Sequence, residues 1–240
     1  MPALPTVVVI PALNEAATVT DVVAGARAAA PGARVVVVDD GSVDRTAELA
    51  AAAGAEVLRL PFNCGIGTAV QAGLRFAVVR GADRIVRLDG DGQHEAADAV
   101  RLLAAVESGA DYATGSRFRA RTAASWRPPF LRRLGSRWFA AALRLAGVRG
   151  VTDPTSGFFA ANARAVRFLA EHYASDYPEV DAVVRLTRRG FRLVEVPVAM
   201  RERGGGVSSI GPLGAVAYMV KVTVAILLGW FDTPALPPGK

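Results

Sequence analysis

Four times in the first 108 residues, a short apolar run rich in valine is followed by a stretch with helical spacing. The apolar runs lie at 6–10, 34–38, 55–60 and 84–88, and the helical stretches at 15–30, 44–53, 66–80 and 95–108. Apolar runs that are continuous rather than alternating belong to strands covered on both faces. This pattern constrains the fold to a single α/β domain with a mostly parallel central sheet flanked by helices. In such sheets ligands bind beyond the carboxyl ends of the strands. The loops at 11–15, 39–42, 61–67 and 89–94 are therefore expected to converge on one site.

The second half is less regular. A strand is expected at 111–114, an arginine-rich loop at 118–129 and a basic amphipathic helix at 130–146. Strands at 158–160 and 192–198 enclose helices near 163–171 and 179–189. Gly204, Gly205 and Gly206 form a flexible break before an apolar helix at 213–231 whose one charge is Lys221. No linker separates two independently folded domains, and 240 residues suit one large domain.

Composition narrows the function. The single cysteine, Cys64, excludes a disulfide framework and a multi-cysteine metal site. A strand beginning almost at residue 6 leaves no room for a signal peptide, so a cytoplasmic location is expected. Net charge is +6, and residues 112–152 hold nine arginines and no acid. Such a block calls for an anionic neighbour: phosphates, a membrane surface or nucleic acid. No nucleic-acid reading motif accompanies it, so nucleic acid is set aside.

The chemistry concentrates in four loops. In Leu88-Asp89-Gly90-Asp91-Gly92-Gln93-His94, two carboxylates one residue apart follow a strand, and the glycines allow a tight turn. Hard oxygen ligands in this pattern suit Mg²⁺ or Mn²⁺, and a polar turn is the alternative. Asp39 and Asp40 end the second strand and can accept hydrogen bonds from a base or ribose, whereas Asp44 and Thr46 read as turn and cap residues. Asn63-Cys64-Gly65-Ile66-Gly67-Thr68 opens a helix with a Gly-x-Gly that favours anion approach. Pro11-Ala12-Leu13-Asn14-Glu15 reads as capping chemistry on its own. The full dinucleotide fingerprint is absent, which argues against a nicotinamide dehydrogenase.

Together, VVVIPALNE, VVVVDDGSVDRT, NCGIGTAVQAGL and LDGDGQH resemble the inverting family 2 glycosyltransferases, which have the A-type glycosyltransferase fold. Gly115-Ser116-Arg117, Asp153-Pro154-Thr155-Ser156-Gly157-Phe158 and the segment from Glu195 to Arg203 extend the resemblance over about 6–210, and it points to the dolichol-phosphate mannose synthase branch and its bacterial polyprenyl-phosphate relatives. The Gln-x-x-Arg-Trp signature of processive synthases is missing.

The resemblance implies a catalytic domain over 1–210, with a nucleotide-sugar half near 1–115 and an acceptor half near 116–210, followed by an interfacial or partner-binding helix and tail at 211–240. It implies that Pro11, Ala12, Asn14, Glu15 and Asp39 line the base and ribose of a UDP- or GDP-linked sugar, with Asp40, Gly67 and Gly90 close by. Asp89 and Asp91, with Gln93 as a third ligand, would hold Mg²⁺ or Mn²⁺ on the diphosphate. Arg203 would close over the diphosphate as charge builds on the leaving group. Arg117, Arg132 and Ser136 match the pattern for an acceptor phosphate, and a spacing of four places the last two on one helix face. A polyprenyl phosphate arrives ionised and needs no strong base. A hydroxyl acceptor would need one, and Asp153 and Asp181 are the candidates, with Glu179 behind them. His94 and His172 are further candidates for a base near neutral pH.

Arg127, Arg137 and Arg144 read as solvated surface charges. The apolar helix either docks on the protein, lies on a membrane or meets a membrane-embedded partner; Lys221 at its centre disfavours a true span. The expected protein is thus peripheral on the inner face of the cell membrane, and the apolar helix is also a possible self-association surface. A glycosyltransferase for saccharide hydroxyls, and a non-catalytic nucleotide-sugar binder that recruits a membrane protein, are the competing readings.

Overall fold

The computed structural model describes residues 5–119, 130–148, 150–201, 221–224 and 226. The elements run β1 (Thr6–Ala12), α1 (Val19–Ala29), β2 (Arg34–Asp39), α2 (Thr46–Ala52), β3 (Glu56–Arg59), α3 (Ile66–Val79), β4 (Arg84–Arg87), α4 (Ala96–Glu107) and β5 (Tyr112–Ser116). They continue as α5 (Phe130–Leu145), β6 (Phe159–Asn162), α6 (Ala163–His172), α7 (Pro178–Arg188) and β7 (Leu193–Pro197). The strands form one seven-stranded sheet in the order β3-β2-β1-β4-β6-β5-β7. All pairings are parallel except those of β6, which runs against both β4 and β5. The mostly parallel α/β architecture expected from the sequence is thus present.

The valine runs are buried on both faces because alternate side chains enter two different cores. Val7 and Val9 of β1, with Val36 and Val38 of β2, pack under α3 and α6. Val8 and Ile10, with Val35 and Val37, pack under α1 and α4. Burial of each such side chain contributes about 1.5–3 kcal/mol, so these strands cannot slip register without losing both cores. A third cluster joins α5 to α7, through Phe139, Leu143, Val180 and Val184.

Two local expectations are corrected. Helix α1 begins at Val19 rather than 15, and Asn14 does not cap it. Asn14 sits at φ 55°, and its backbone N–H donates to Ser42 Oγ (2.9 Å). The N–H of Glu15 donates to Thr46 Oγ1 (2.8 Å), and that of Ala16 to Asp44 Oδ2 (3.2 Å). The amides after β1 are therefore tied to the loop after β2 and unavailable for a helical turn. Asp44 and Thr46 are structural residues, as read from the sequence.

Residues 120–129 of the expected arginine-rich loop, Arg203, the triple glycine and most of the apolar stretch at 213–231 lie outside the described residues. Residues 221–224 and 226 are helical, and Val222 and Ile226 are buried in the third cluster. Among the described residues, no helix is long and apolar enough to cross a membrane.

Candidate active site

The carboxyl ends of β1, β2 and β4 surround a cavity of about 840 Å³. Pro11, Ala12, Asn14 and Glu15 form one wall, with Asp40, Asn63 and Ile66 beside them. Asp89, Gly90 and Asp91 form the floor, and Arg87, Thr155, Gly157 and Glu179 form the far end. The loops converge as the topology requires.

Asp40 shapes the wall. Its two carboxylate oxygens accept the backbone N–H groups of Cys64 (2.7 Å) and Gly65 (2.9 Å), which fixes the turn into α3. Asp39 is fully buried and does not line the cavity. Its Oδ1 accepts from Ser42 N (3.0 Å), its Oδ2 lies 3.3 Å from Arg59 Nε, and Oδ2 has no hydrogen bond among the described residues.

Gly67 does not approach the cavity. A Cβ there would lie 2.5 Å from the Ser175 carbonyl oxygen and closer still to that of Ala174. Its missing side chain makes room for the 174–175 backbone.

Gly90 packs closely on β1: a Cβ there would come within 3.1 Å of Ala12 Cβ and the Pro11 carbonyl. Its own carbonyl accepts from Thr18 Oγ1 (2.7 Å), joining the β4 loop to the start of α1.

The floor is charged and internally paired. Arg87, 2% exposed, donates to Asp89 Oδ1 (2.9 Å), Glu179 Oε1 (2.7 Å) and the Tyr173 hydroxyl (3.2 Å). Burial pushes the Asp89 carboxyl up, but Arg87 and His94 outweigh it and hold it below the usual carboxylate range. Burial lowers the Arg87 guanidinium, but Asp89 and Glu179 overcome it and lift it well above its ordinary value.

His94 stacks on Phe158 (centroids 4.6 Å apart), and its Nδ1 accepts from the Asp89 N–H (3.1 Å). Burial lowers the imidazole below its ordinary value despite Asp89 and Asp91, so it is neutral near pH 7. It therefore orients the loop as a neutral ring rather than titrating there. His172 bonds to Phe168 O at the end of α6.

Asp91, 7% exposed, accepts from Gln93 N (3.0 Å). Gln93 is off the cavity wall, and its side-chain amide reaches the Arg201 carbonyl (3.5 Å). The Arg201 N–H returns a bond to Gln93 O (2.9 Å), so the chain running toward Arg203 is fastened beside the Asp89–Asp91 loop.

The residues expected to meet the acceptor pair with one another. Arg117 Nε and Nη2 each lie 2.6 Å from an oxygen of Asp153, and the Arg117 N–H adds a third bond (3.1 Å). Asp153 has no exposed surface. Glu195 accepts from the backbone N–H groups of Thr152 and Asp153 and pairs with Arg119 (2.9 Å), which fixes the turn. Ser136 is 2% exposed on α5. Arg132 is on the same helix, and its side chain lies outside the described residues. Asp181 pairs with Arg185 Nε (2.6 Å) and is off the cavity wall; burial raises its carboxyl against that pairing.

Arg87 was not singled out by sequence, and Glu179 was ranked behind Asp153 and Asp181. The available signal was an arginine inside an apolar strand, two residues before Asp89. Gly157 completes the far end: a Cβ there would lie 2.9 Å from Arg87 Nη2 and 3.1 Å from Asp89 Oδ2.

The residues suit a divalent cation of the magnesium type. Asp89 and Asp91 offer hard oxygens at the cavity floor. Among the described residues no group of three acids, histidines or cysteines could hold a metal alone. Magnesium sites commonly have only one or two carboxylates and complete their shell with water and substrate phosphates.

The model of glycosyl transferase family 2 matches residues 7–169. The chain belongs to that family. It is 35% identical to the polyprenol monophosphomannose synthase of Mycolicibacterium smegmatis, over 95% of this chain and 89% of that one. It is 34% identical to the undecaprenyl-phosphate mannosyltransferase of Micrococcus luteus, over 84% and 86% of the two chains. These relatives support the polyprenyl-phosphate branch, and the enzyme class is hexosyltransferase. The fold is shared with glucosyl-3-phosphoglycerate synthase of Mycobacterium tuberculosis in complex with Mn²⁺, UDP and its product (TM-score 0.71, 23% identity, 97% of this chain and 81% of that one).

Proposed function

We propose that the chain transfers a hexose from a UDP- or GDP-linked sugar to a polyprenyl phosphate with inversion, using Mg²⁺ or Mn²⁺. The names of the relatives make mannose the first sugar to test. The observation that carries the acceptor assignment is the Arg117–Asp153 pair. The leading candidate base is fully buried and held by two bonds of 2.6 Å, so it cannot receive a proton from a substrate without breaking them. Residues 112–152 instead carry nine arginines and no acid, which suits an acceptor that is already ionised.

In this reading the wall from Pro11 to Glu15 and the turn fixed by Asp40 receive the nucleoside. Asp89 and Asp91 hold the cation, which neutralises charge growing on the departing diphosphate. Arg87 keeps the Asp89 carboxylate ionised and aimed with one oxygen engaged. Arg117, set by Asp153, orients the lipid phosphate together with Arg132 and Ser136 for attack opposite the diphosphate. Arg203 adds positive charge on the leaving-group side. The enzyme then works peripherally, at the membrane that carries its acceptor.

A second reading, a saccharide hydroxyl acceptor, is favoured by one observation: Glu179 lines the cavity and Arg87 engages its Oε1. The decisive assay measures nucleoside diphosphate release from a panel of nucleotide sugars, with and without a short polyprenyl phosphate. Release that requires the lipid and vanishes in Asp91→Ala supports the first reading. Turnover on saccharides that vanishes in Glu179→Gln, with none on the lipid, replaces it by the second. Metal-dependent donor binding without turnover on either acceptor would restore the non-catalytic binder.

A further inference from the structure

The turn that leads into α7 is held at its two ends by different parts of the chain. At the first end Tyr173 is buried and its hydroxyl bonds to Arg87, and the 174–175 backbone lies against Gly67. At the second end Tyr177 sits at φ 40°, in the left-handed region that a tyrosine enters only with support from its surroundings. Lys221 touches the turn there: its Nζ donates to Asp176 Oδ2 (2.9 Å) and lies 5.6 Å from the centre of the Tyr177 ring. Pro178 then begins α7, and Glu179 follows at the cavity's far end.

Helix α7 carries two apolar stripes. Ala182 and Leu186 enter the core under α3 and α6. Val180, Val183 and Val184 enter the third cluster, where they meet Phe139 and Leu143 of α5 and also Val222 and Ile226. At 100° per residue, Glu179 lies between the two stripes. Its direction is therefore set by the roll of α7 about its own axis. The sheet core fixes that roll on one side, and α5 with Val222 and Ile226 fixes it on the other. Val222 is 0% exposed and Ile226 3%. A roll of about 20° at a side-chain radius of about 6 Å moves the carboxylate by about 2 Å. That is enough to break its 2.7 Å bond to Arg87.

We propose that Val222 and Ile226 are positioning residues of the site: they hold α7 at the roll that keeps Glu179 on Arg87, and Arg87 in turn aims Asp89. The Lys221–Asp176 pair is exposed and adds little alone, so the effect lies with the two buried side chains. In taking Asp89 as a cation ligand, the proposal rests on the proposed function.

The test compares four forms of the full chain: wild type, Glu179→Gln, Val222→Ala with Ile226→Ala, and all three substitutions together. Melting temperature is read without substrate. Nucleoside diphosphate release is read with donor, Mn²⁺ and a short polyprenyl phosphate, well below the lowest melting temperature. The alanine pair should lower the melting temperature, and by less in the Glu179→Gln background, where the contact it disturbs is already gone. It should lower kcat/KM about tenfold or more, the size expected for loss of one charged hydrogen bond. It should also raise the Mn²⁺ concentration needed for half-maximal turnover, and neither change should deepen when Glu179→Gln is added. Val222→Ile with Ile226→Val exchanges the two volumes and should keep turnover. Val106→Ala, a buried truncation on α4, should lower the melting temperature and leave the kinetics alone. A wild type that turns over no lipid phosphate would sink the acceptor reading, whereas the stability coupling, measured without substrate, would still decide this one. The proposal is overturned if the melting-temperature losses simply add, or if the alanine pair keeps wild-type kcat/KM.

Discussion

Replacing Arg87 by methionine removes a cation that touches both Asp89 and Glu179 while nearly preserving side-chain length. The guanidinium is 2% exposed, and the partner carboxylates are 32% and 16% exposed. Removing one member of a buried pair costs about 3–5 kcal/mol, and partial water access at Asp89 places the expected loss near the lower end, about 3 kcal/mol. For a chain of this size, each kcal/mol lowers the melting temperature by about 2–4 °C, so a drop of about 6–12 °C is expected near pH 7.5.

The pH dependence adds a second constraint. The Asp89 carboxyl is held below its ordinary value in the folded protein, so its contribution is fully present above about pH 4 and is lost as pH falls through the depressed value. Without Arg87, two carboxylates face one another with no cation between them, and a proton is taken up at higher pH. The gap between wild type and Arg87→Met should therefore be widest near pH 7.5 and narrow toward pH 5. Mn²⁺ should raise the melting temperature of the variant more than that of the wild type, because the ion supplies the missing positive charge. Calorimetry at the two pH values, with and without Mn²⁺, reads all three effects. A drop under about 2 °C, or a gap that does not change with pH, would refute the assignment of Arg87 as the cation that holds the floor together.

Gly67→Ala should destabilise by about 1–3 kcal/mol through a clash with the 174–175 backbone, visible as a lower melting temperature before any change in nucleotide affinity. Asp40→Ala should raise KM for the donor more than it lowers kcat, because it frees the Cys64 and Gly65 amides and loosens the cavity wall; an unchanged KM would count against that role. Asp153→Asn and Arg117→Gln should each lower stability by about 3–5 kcal/mol, and the double variant should lose less than their sum, since both break one buried pair. If Asp153→Asn instead keeps its stability and loses turnover only on hydroxyl acceptors, Asp153 is a base after all.

The first half of the fold was legible because its signals are local. Continuous valine runs, Gly-rich loops and helical spacing each lie within about 15 residues, and the topology of a parallel sheet then fixes which loops meet. Helix α1 was read four residues too early because the competing partners for its first amides, Ser42, Asp44 and Thr46, lie about 30 residues away. The packing role of Gly67 is not legible for the same reason: the backbone that needs its missing side chain is at 174–175. Arg87 was passed over because a charged residue in a strand normally marks an exposed face, and the acid that permits its burial, Glu179, is 92 residues distant. The reversed direction of β6 left no mark in four residues of Phe-Ala-Ala-Asn.

The charged site candidates share a feature. Asp40, Asp153 and Arg117, read from the sequence as facing substrates, are each also engaged by the protein itself: Asp40 with two amides, Asp153 with Arg117. Asp89, a predicted cation ligand, has one oxygen on Arg87. Charge count therefore overstates the charge a ligand meets. In the proposed reaction, a cation arriving with a nucleoside diphosphate would approach Asp91 and an Asp89 carboxylate already half neutralised by Arg87, which would weaken the site for the bare ion relative to the ion carried on its diphosphate. Donor and cation should consequently bind with positive coupling: the apparent affinity for Mn²⁺ should rise when UDP or GDP is present, and Arg87→Met should reduce that coupling by strengthening the bare-ion site. Titration calorimetry of Mn²⁺ with and without nucleotide measures both quantities. Equal Mn²⁺ affinity in the two conditions would mean that the Asp89–Asp91 pair holds its ion without help from the phosphates, and that the Arg87 contact does not limit it.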